Sequence, residues 1–155
     1  MTHRNERDDE YWMRQAIELA ERARQQDEVP VGALIVVDGN IIGSGWNQSI
    51  TTKDPTAHAE IVALRDASRQ IQNYRLPRLS ALYVTLEPCA MCAGALVHAR
   101  VGRVVYGATD PRAGAVETHF NVLGTNHLNH RAETEGGVLE SECSEILKNF
   151  FKARR

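Results

Sequence analysis

A chain of 155 residues can bury about two thirds of the surface its unfolded form exposes, so one domain spanning 1–155 is expected and no disulfide is required. Its 18 Lys and Arg against 20 Asp and Glu leave a net charge of −2, which gives no global argument for a nucleic-acid partner. An odd count of three cysteines, a polar N-terminus (Met1-Thr2-His3-Arg4-Asn5-Glu6-Arg7) in place of a signal peptide, and no apolar run near the ~20 residues of a membrane span point to a cytoplasmic protein outside the membrane.

Residues 1–8 are expected to be disordered. Asp8 or Asp9 can cap a first helix in which Met13, Ala16, Ile17, Ala20 and Ala23 recur at three and four, and which ends before Pro30. The β-branched run 31–37, the turn pair Asp38-Gly39 and the return run 41–46 predict a hairpin. A polar loop over 48–57 precedes a helix over 57–68, with Ile61 and Leu64 inward. Residues 81–86 form the next strand, Pro88 starts a turn into a helix reaching about Ala99 with the proline at its first helical position, and 103–106 form a further strand. Beyond a Pro/Gly loop at 110–115, a short helix is predicted over 117–123 and a polar connection over 124–131. A short strand at 138–139 and a helix over 140–153 close the chain. Strands alternating with helices after an opening hairpin argue an α/β fold with a mixed sheet and helices on both faces. Cys143 reads as a small core residue.

Two short segments carry the chemistry. His58-Ala59-Glu60 and Pro88-Cys89-Ala90-Met91-Cys92 supply one imidazole, two thiols and one carboxylate. A structural zinc site normally closes its tetrahedron with four protein ligands, whereas a catalytic one keeps three and leaves a position for water. His58, Cys89 and Cys92 make three, and Glu60 can then move protons on and off that water. Cys89 and Cys92, three apart, are neighbours on one helical face. His58 and Glu60, two apart, diverge in a helix interior but can both reach an ion lying over a helix N-terminus. Two such termini would also keep the thiolates deprotonated. Each segment alone has a blander explanation, since a CxxC can be a redox dithiol and a lone His is commonly packed or solvent-facing. Together, with the H-x-E 31 residues before Cys89, they make the H-x-E…P-C-x-x-C signature of zinc deaminases, so Zn2+ is the expected cofactor.

The strings Val29-Pro30-Val31-Gly32-Ala33, Gly45-Trp46-Asn47, Asp54-Pro55-Thr56-Ala57, Asn73-Tyr74-Arg75-Leu76 and Tyr83-Val84-Thr85-Leu86-Glu87 flank these segments. With them, the chain resembles the bacterial tRNA-specific adenosine deaminases from about Tyr11 to Arg155. The resemblance implies a three-layer α/β/α fold of the cytidine deaminase-like kind, with a mixed, about five-stranded central sheet. It further implies conversion of adenosine to inosine at the wobble position of a tRNA anticodon, chiefly that of an arginine tRNA. A homodimer holding one Zn2+ per subunit follows from the same likeness. By motif, His58, Cys89 and Cys92 would hold the metal, Glu60 would shuttle protons and Asn47 would hydrogen-bond the extruded nucleoside through its amide donor and acceptor. Asp110 falls where the family carries an acidic residue near the RNA; a sugar hydroxyl would suit it, and an Asp-Pro turn with Pro111 is the structural alternative. Asn121 departs from the family's more common Asp, and the spacing between the two metal segments is one residue longer, with the extra residue placed near Pro77.

Charge is concentrated locally at Lys148, Lys152, Arg154 and Arg155, and at Arg75 and Arg78, which equally suit RNA contact or a solvated helix end. Of the aromatics available for stacking, Trp46, Tyr74, Tyr106, Phe120 and Phe150-Phe151, most are expected in the core, with the Phe pair the exception. Two competing functions use the same residues: a deaminase of free nucleobases or mononucleotides, and a catalytically silent zinc- and RNA-binding subunit. The intact Glu60 counts against the second.

Overall fold

The computed structural model describes residues 8–154. Most of the segment expected to be disordered lies outside these residues; Asp8, within them, accepts from the Tyr11 N–H at 3.0 Å and caps α1 (Asp9–Gln25). The strands β1 (Gly32–Val37) and β2 (Asn40–Trp46) form the expected hairpin. They are followed by α2 (Ser49–Thr52), α3 (Ala59–Ile71), β3 (Ala81–Leu86), α4 (Ala90–Ala99), β4 (Arg103–Ala108), β5 (Glu133–Glu135) and α5 (Glu140–Ala153). The five strands lie in the order β2-β1-β3-β4-β5. β1 is antiparallel to β2 and β3, whereas β3, β4 and β5 run parallel, giving the mixed sheet expected.

Alternation along the strands divides the core between two faces. Ala33, Ile35, Leu82, Val84, Val104 and Tyr106 pack with Ala63 and Ala67 of α3 and Leu96 and Val97 of α4. Leu34, Val36, Tyr83 and Val105 pack with Met13 and Ala16 of α1 and Cys143 of α5. The result is three layers, with α3 and α4 on one side and α1 and α5 on the other. β2 carries glycines where α3 presses closest: a Cβ at Gly43 would lie 2.6 Å from the Ala63 carbonyl and the Ala67 nitrogen. That close approach seats the middle of α3 against β2.

Four local expectations are corrected. The 48–57 loop contains the single-turn helix α2, because the Glu28 carboxylate accepts the N–H groups of Ile50 and Thr51 at its start. Cys89, not Pro88, occupies the start of α4 as its N-cap, with Pro88 just outside. Residues 117–123 form turns and irregular backbone in place of a helix, since the Glu117 and Thr118 N–H groups are directed to the Glu87 carboxylate. The last strand is the exposed Glu133–Glu135, not 138–139, where left-handed Leu139 (φ 51) turns the chain into α5.

An ion network ties α1 to β3, β4 and β5. Arg103 donates to both oxygens of Asp9 at 2.6 and 2.7 Å and to Glu135 at 2.5 Å, and the Tyr83 hydroxyl donates to Asp9 at 2.8 Å. The Arg103 hydrogen bond outweighs burial and holds the Asp9 carboxyl at about 2, below its ordinary 3.8. A depressed folded-state value stabilises above the ordinary value, and that stability is lost as pH falls through about 2. Asp9→Asn is therefore expected to cost about 1–2 kcal/mol at neutral pH, after allowance for solvent screening, with the difference from wild type shrinking in acid. Urea unfolding of both proteins across pH checks this; a pH-independent difference would contradict it.

Candidate active site

The pairings Gly32 with Trp46, Ala33 with Val84 and Leu86 with Ala108 bring the carboxyl ends of β2, β3 and β4 to one edge of the sheet. β3 is antiparallel to β1 and parallel to β4, so the connections diverge here and leave the crevice in which open α/β sheets bind ligands. The segments following these strands, together with the start of α3, build the site.

His58 is the N-cap of α3 and Cys89 the N-cap of α4, and neither makes a side-chain capping bond. The positions that usually hold Ser or Asp thus carry potential metal ligands, and two helix N-termini face one point. Cys92, fully buried, lies in the first turn of α4. His58 Nδ1 is 3.6 Å from Cys89 Sγ and 3.5 Å from Cys92 Sγ, and the three ligand atoms lie within 4.8 Å of one another. A tetrahedral ion with bonds of about 2.3 Å to sulfur and about 2.0–2.1 Å to nitrogen needs N···S separations of about 3.5–3.6 Å. The donor set therefore fits a zinc-sized ion in both chemistry and spacing.

The electrostatics suit a cation. The Cys89 thiol is drawn down to about 4, chiefly by the hydrogen bond from Cys92, while the same bond and burial push Cys92 up. The pair thus divides a proton that a divalent cation would displace. The Cys89 sulfur holds the His58 imidazole above its usual range. Glu60, in the first turn of α3 and 4% exposed, lies outside the three-ligand group and reaches the Cys92 thiol. Burial raises its carboxyl to about 7. A carboxylate beside a metal site, not converging with the ligands and close to neutrality, can both take and return a proton.

The flanking residues are tied down by bonds that sequence reading missed. Asn47 Oδ1 accepts the Ala59 N–H at 2.8 Å, which ties the side chain to the start of α3. The amide oxygen keeps a second lone pair and the nitrogen its two donors. Asp110 Oδ1 accepts from the Arg112 and Ala113 N–H groups at 3.0 and 3.3 Å, which forms the Asp-Pro turn. Asn121 Oδ1 caps a turn by accepting from Gly124, a bond an Asp could equally make. Glu87 is 2% exposed, yet its carboxylate takes four backbone N–H groups and one hydroxyl. Burial opposes its ionisation, but these bonds, led by the Thr118 hydroxyl, hold it at about 2. Only its place between β3 and Pro88 hinted at this.

Tyr74 and Phe120 stand 74% and 62% exposed, contrary to the expectation that they join the core. Tyr106 and Phe150 are buried, and Arg154 is held by Asp27 at 2.9 Å and over the Phe150 ring at 4.1 Å. Among the described residues no helix is long and apolar enough to cross a membrane.

A mixed sheet layered between helix pairs, with a His/Cys/Cys set at two helix caps, places the chain in the cytidine deaminase-like class. The MafB19-like deaminase family matches residues 7–155. The tRNA-specific adenosine deaminase of Haemophilus influenzae is 54% identical over 148 residues, covering 95% of this chain and 85% of the relative. That of Bacillus subtilis is 44% identical over 147 residues, covering 95% and 91%. A solved structure from a study of A-to-I editing by tRNA:A34 deaminases at the wobble position superposes with a TM-score of 0.85 at 43% identity, covering 88% of this chain and 99% of its own. The chain belongs to this deaminase family and, within it, to the tRNA-specific adenosine deaminases.

Proposed function

We propose that the protein hydrolyses adenosine to inosine at the wobble position of a tRNA anticodon, with an arginine tRNA as the expected substrate. The observation that carries this reading is the convergence of His58 Nδ1, Cys89 Sγ and Cys92 Sγ beside a buried carboxylate that is not of their number, in a chain so similar to enzymes named for this activity. These three residues would hold one Zn2+ per subunit. Bound zinc supplies an activated water at neutral pH by lowering its pKa from about 15.7 toward about 7. Glu60 would take one proton from the attacking water and deliver it to the ring nitrogen, then take the remaining hydroxyl proton and pass it to the departing amine, so that adenosine and water give inosine and ammonia. Asn47 donates to the extruded nucleoside while its oxygen steadies α3. Asp110 shapes the opposite wall through its turn, and its sugar contact is part of the same proposal. The family likeness also supports a homodimer in the cytoplasm.

An adenosine in an anticodon loop leaves its stack at a cost of a few kcal/mol, less than in a duplex, so loop RNA can reach a recessed site. Substrate class is tested by ammonia release from an anticodon stem-loop and from free guanine, cytosine and adenosine across salt concentrations. The stem-loop is expected to react, with log KM rising linearly in log salt by about 0.7 for each single-stranded phosphate contact. Release from a free base alone would overturn the RNA reading.

A further inference from the structure

The 110–118 segment borders the site, carries Asp110, and belongs to no helix or strand, yet it is held as firmly as one. Glu87, next after β3 and two residues before Cys89, is the reason. Its Oε1 accepts the Asp110 N–H at 3.0 Å and the Thr118 hydroxyl at 2.5 Å. Its Oε2 accepts the N–H groups of Val116, Glu117 and Thr118 at 3.1, 2.9 and 3.0 Å. The segment is also pinned to the metal-bearing turn: Gly114 bridges to Cys89, and the Ala115 N–H donates to the Pro88 carbonyl at 2.9 Å. Gly114 is glycine because a Cβ there would lie 2.3 Å from Glu87 Oε1. One carboxylate thus gathers both ends of a nine-residue stretch and draws its middle against the ligand turn.

We propose that Glu87 is a positioning residue for the RNA substrate, fixing the 110–118 segment as a preformed wall of the nucleotide entrance. This rests on the anticodon-loop reading. If the role were only to fill space, an apolar side chain would serve at lower desolvation cost; a buried carboxylate is used where many N–H donors from one segment must be satisfied together. The inner residues Gly114, Ala115 and Val116 are buried, while Arg112, His119 and Phe120 face outward at the same edge. RNA loops are recognised through splayed bases, stacking and backbone contacts, and a wall already ordered spares the complex the entropy of ordering it. Loosening the wall therefore weakens RNA capture more than it slows the proton transfers, which depend on Glu60 and the helix caps.

The test is steady-state kinetics of Glu87→Gln on an anticodon stem-loop, with rates normalised to bound zinc. The amide sets an N–H2 against N–H or O–H donors at one of its two ends. KM is expected to rise about tenfold or more, with kcat per bound zinc reduced less than KM rises. A purely structural role would instead leave KM unchanged and lower turnover in step with the folded, zinc-loaded fraction, and that result overturns the proposal. Should Glu87→Gln fail to fold, Thr118→Val removes one donor to the same carboxylate: a smaller rise in KM supports the proposal, an unchanged KM overturns it. Wild-type protein on the same stem-loop separates the two readings. Its inactivity would sink the RNA function itself, whereas an active wild type with unmoved variants sinks only the role of Glu87.

Discussion

Glu60→Gln is expected to bind zinc as wild type does and to lose about 100- to 10,000-fold or more in turnover. Glutamine keeps the shape of the side chain in a position only 4% exposed, so packing around the first turn of α3 is preserved. What disappears is the group that accepts a proton from water and returns it to the ring and the amine. Glu60 is not one of the three converging ligands, so metal content should not change. Stability should hold or rise, because a buried carboxyl is replaced by a neutral amide. Metal analysis with single-turnover kinetics checks both halves. A variant that loses zinc would make Glu60 a ligand, and one that stays active would remove the proton-shuttle role.

Cys92→Ala is expected to abolish metal binding and activity together while leaving the chain folded. Cys92 is fully buried in the first turn of α4, and the apolar clusters on the two faces of the sheet are built from other residues. Two donors, His58 and Cys89, remain, too few for a stable tetrahedral site. The variant should also lose the stabilisation that bound metal gives, which is about 2.7 kcal/mol when free ion is one hundred times its dissociation constant. Removing the metal from wild type with a chelator should reproduce both effects, and restoring zinc should reverse them. Elemental analysis and thermal unfolding with and without chelator provide the readout. Full zinc occupancy in Cys92→Ala would contradict the ligand assignment.

The elements whose signals are local were legible in the sequence. β3 and α5 match their expected bounds, because an apolar run before Pro88 and a periodic run after Gly136-Gly137 carry their own limits. The grouping of the candidate site was legible for the same reason: His58 and Glu60 lie two residues apart in one segment, and Cys89 and Cys92 three apart in another. What escaped depends on partners distant in sequence. α2 exists because Glu28 reaches the N–H groups of Ile50 and Thr51, more than twenty positions away. The 117–123 segment was expected to be a short helix, but Glu87 claims the N–H groups at its start. β5 is Glu-Thr-Glu, exposed throughout, and shows no alternation because it is an edge strand with neither face buried. Asn47 was read as a substrate contact alone, whereas its oxygen also accepts the Ala59 N–H, a bond visible only once β2 and α3 are side by side.

His58, Cys89, Cys92 and Glu60 are proposed to form a hydrolytic site acting on adenosine in an anticodon loop. Position-resolved nucleoside analysis of a stem-loop bearing adenosine at the wobble position, after incubation with the zinc-loaded protein, tests it most directly. Inosine at that position alone, with ammonia released in equal amount, is the predicted result. Unchanged adenosine there, alongside ammonia from a free base or from nothing, would contradict it.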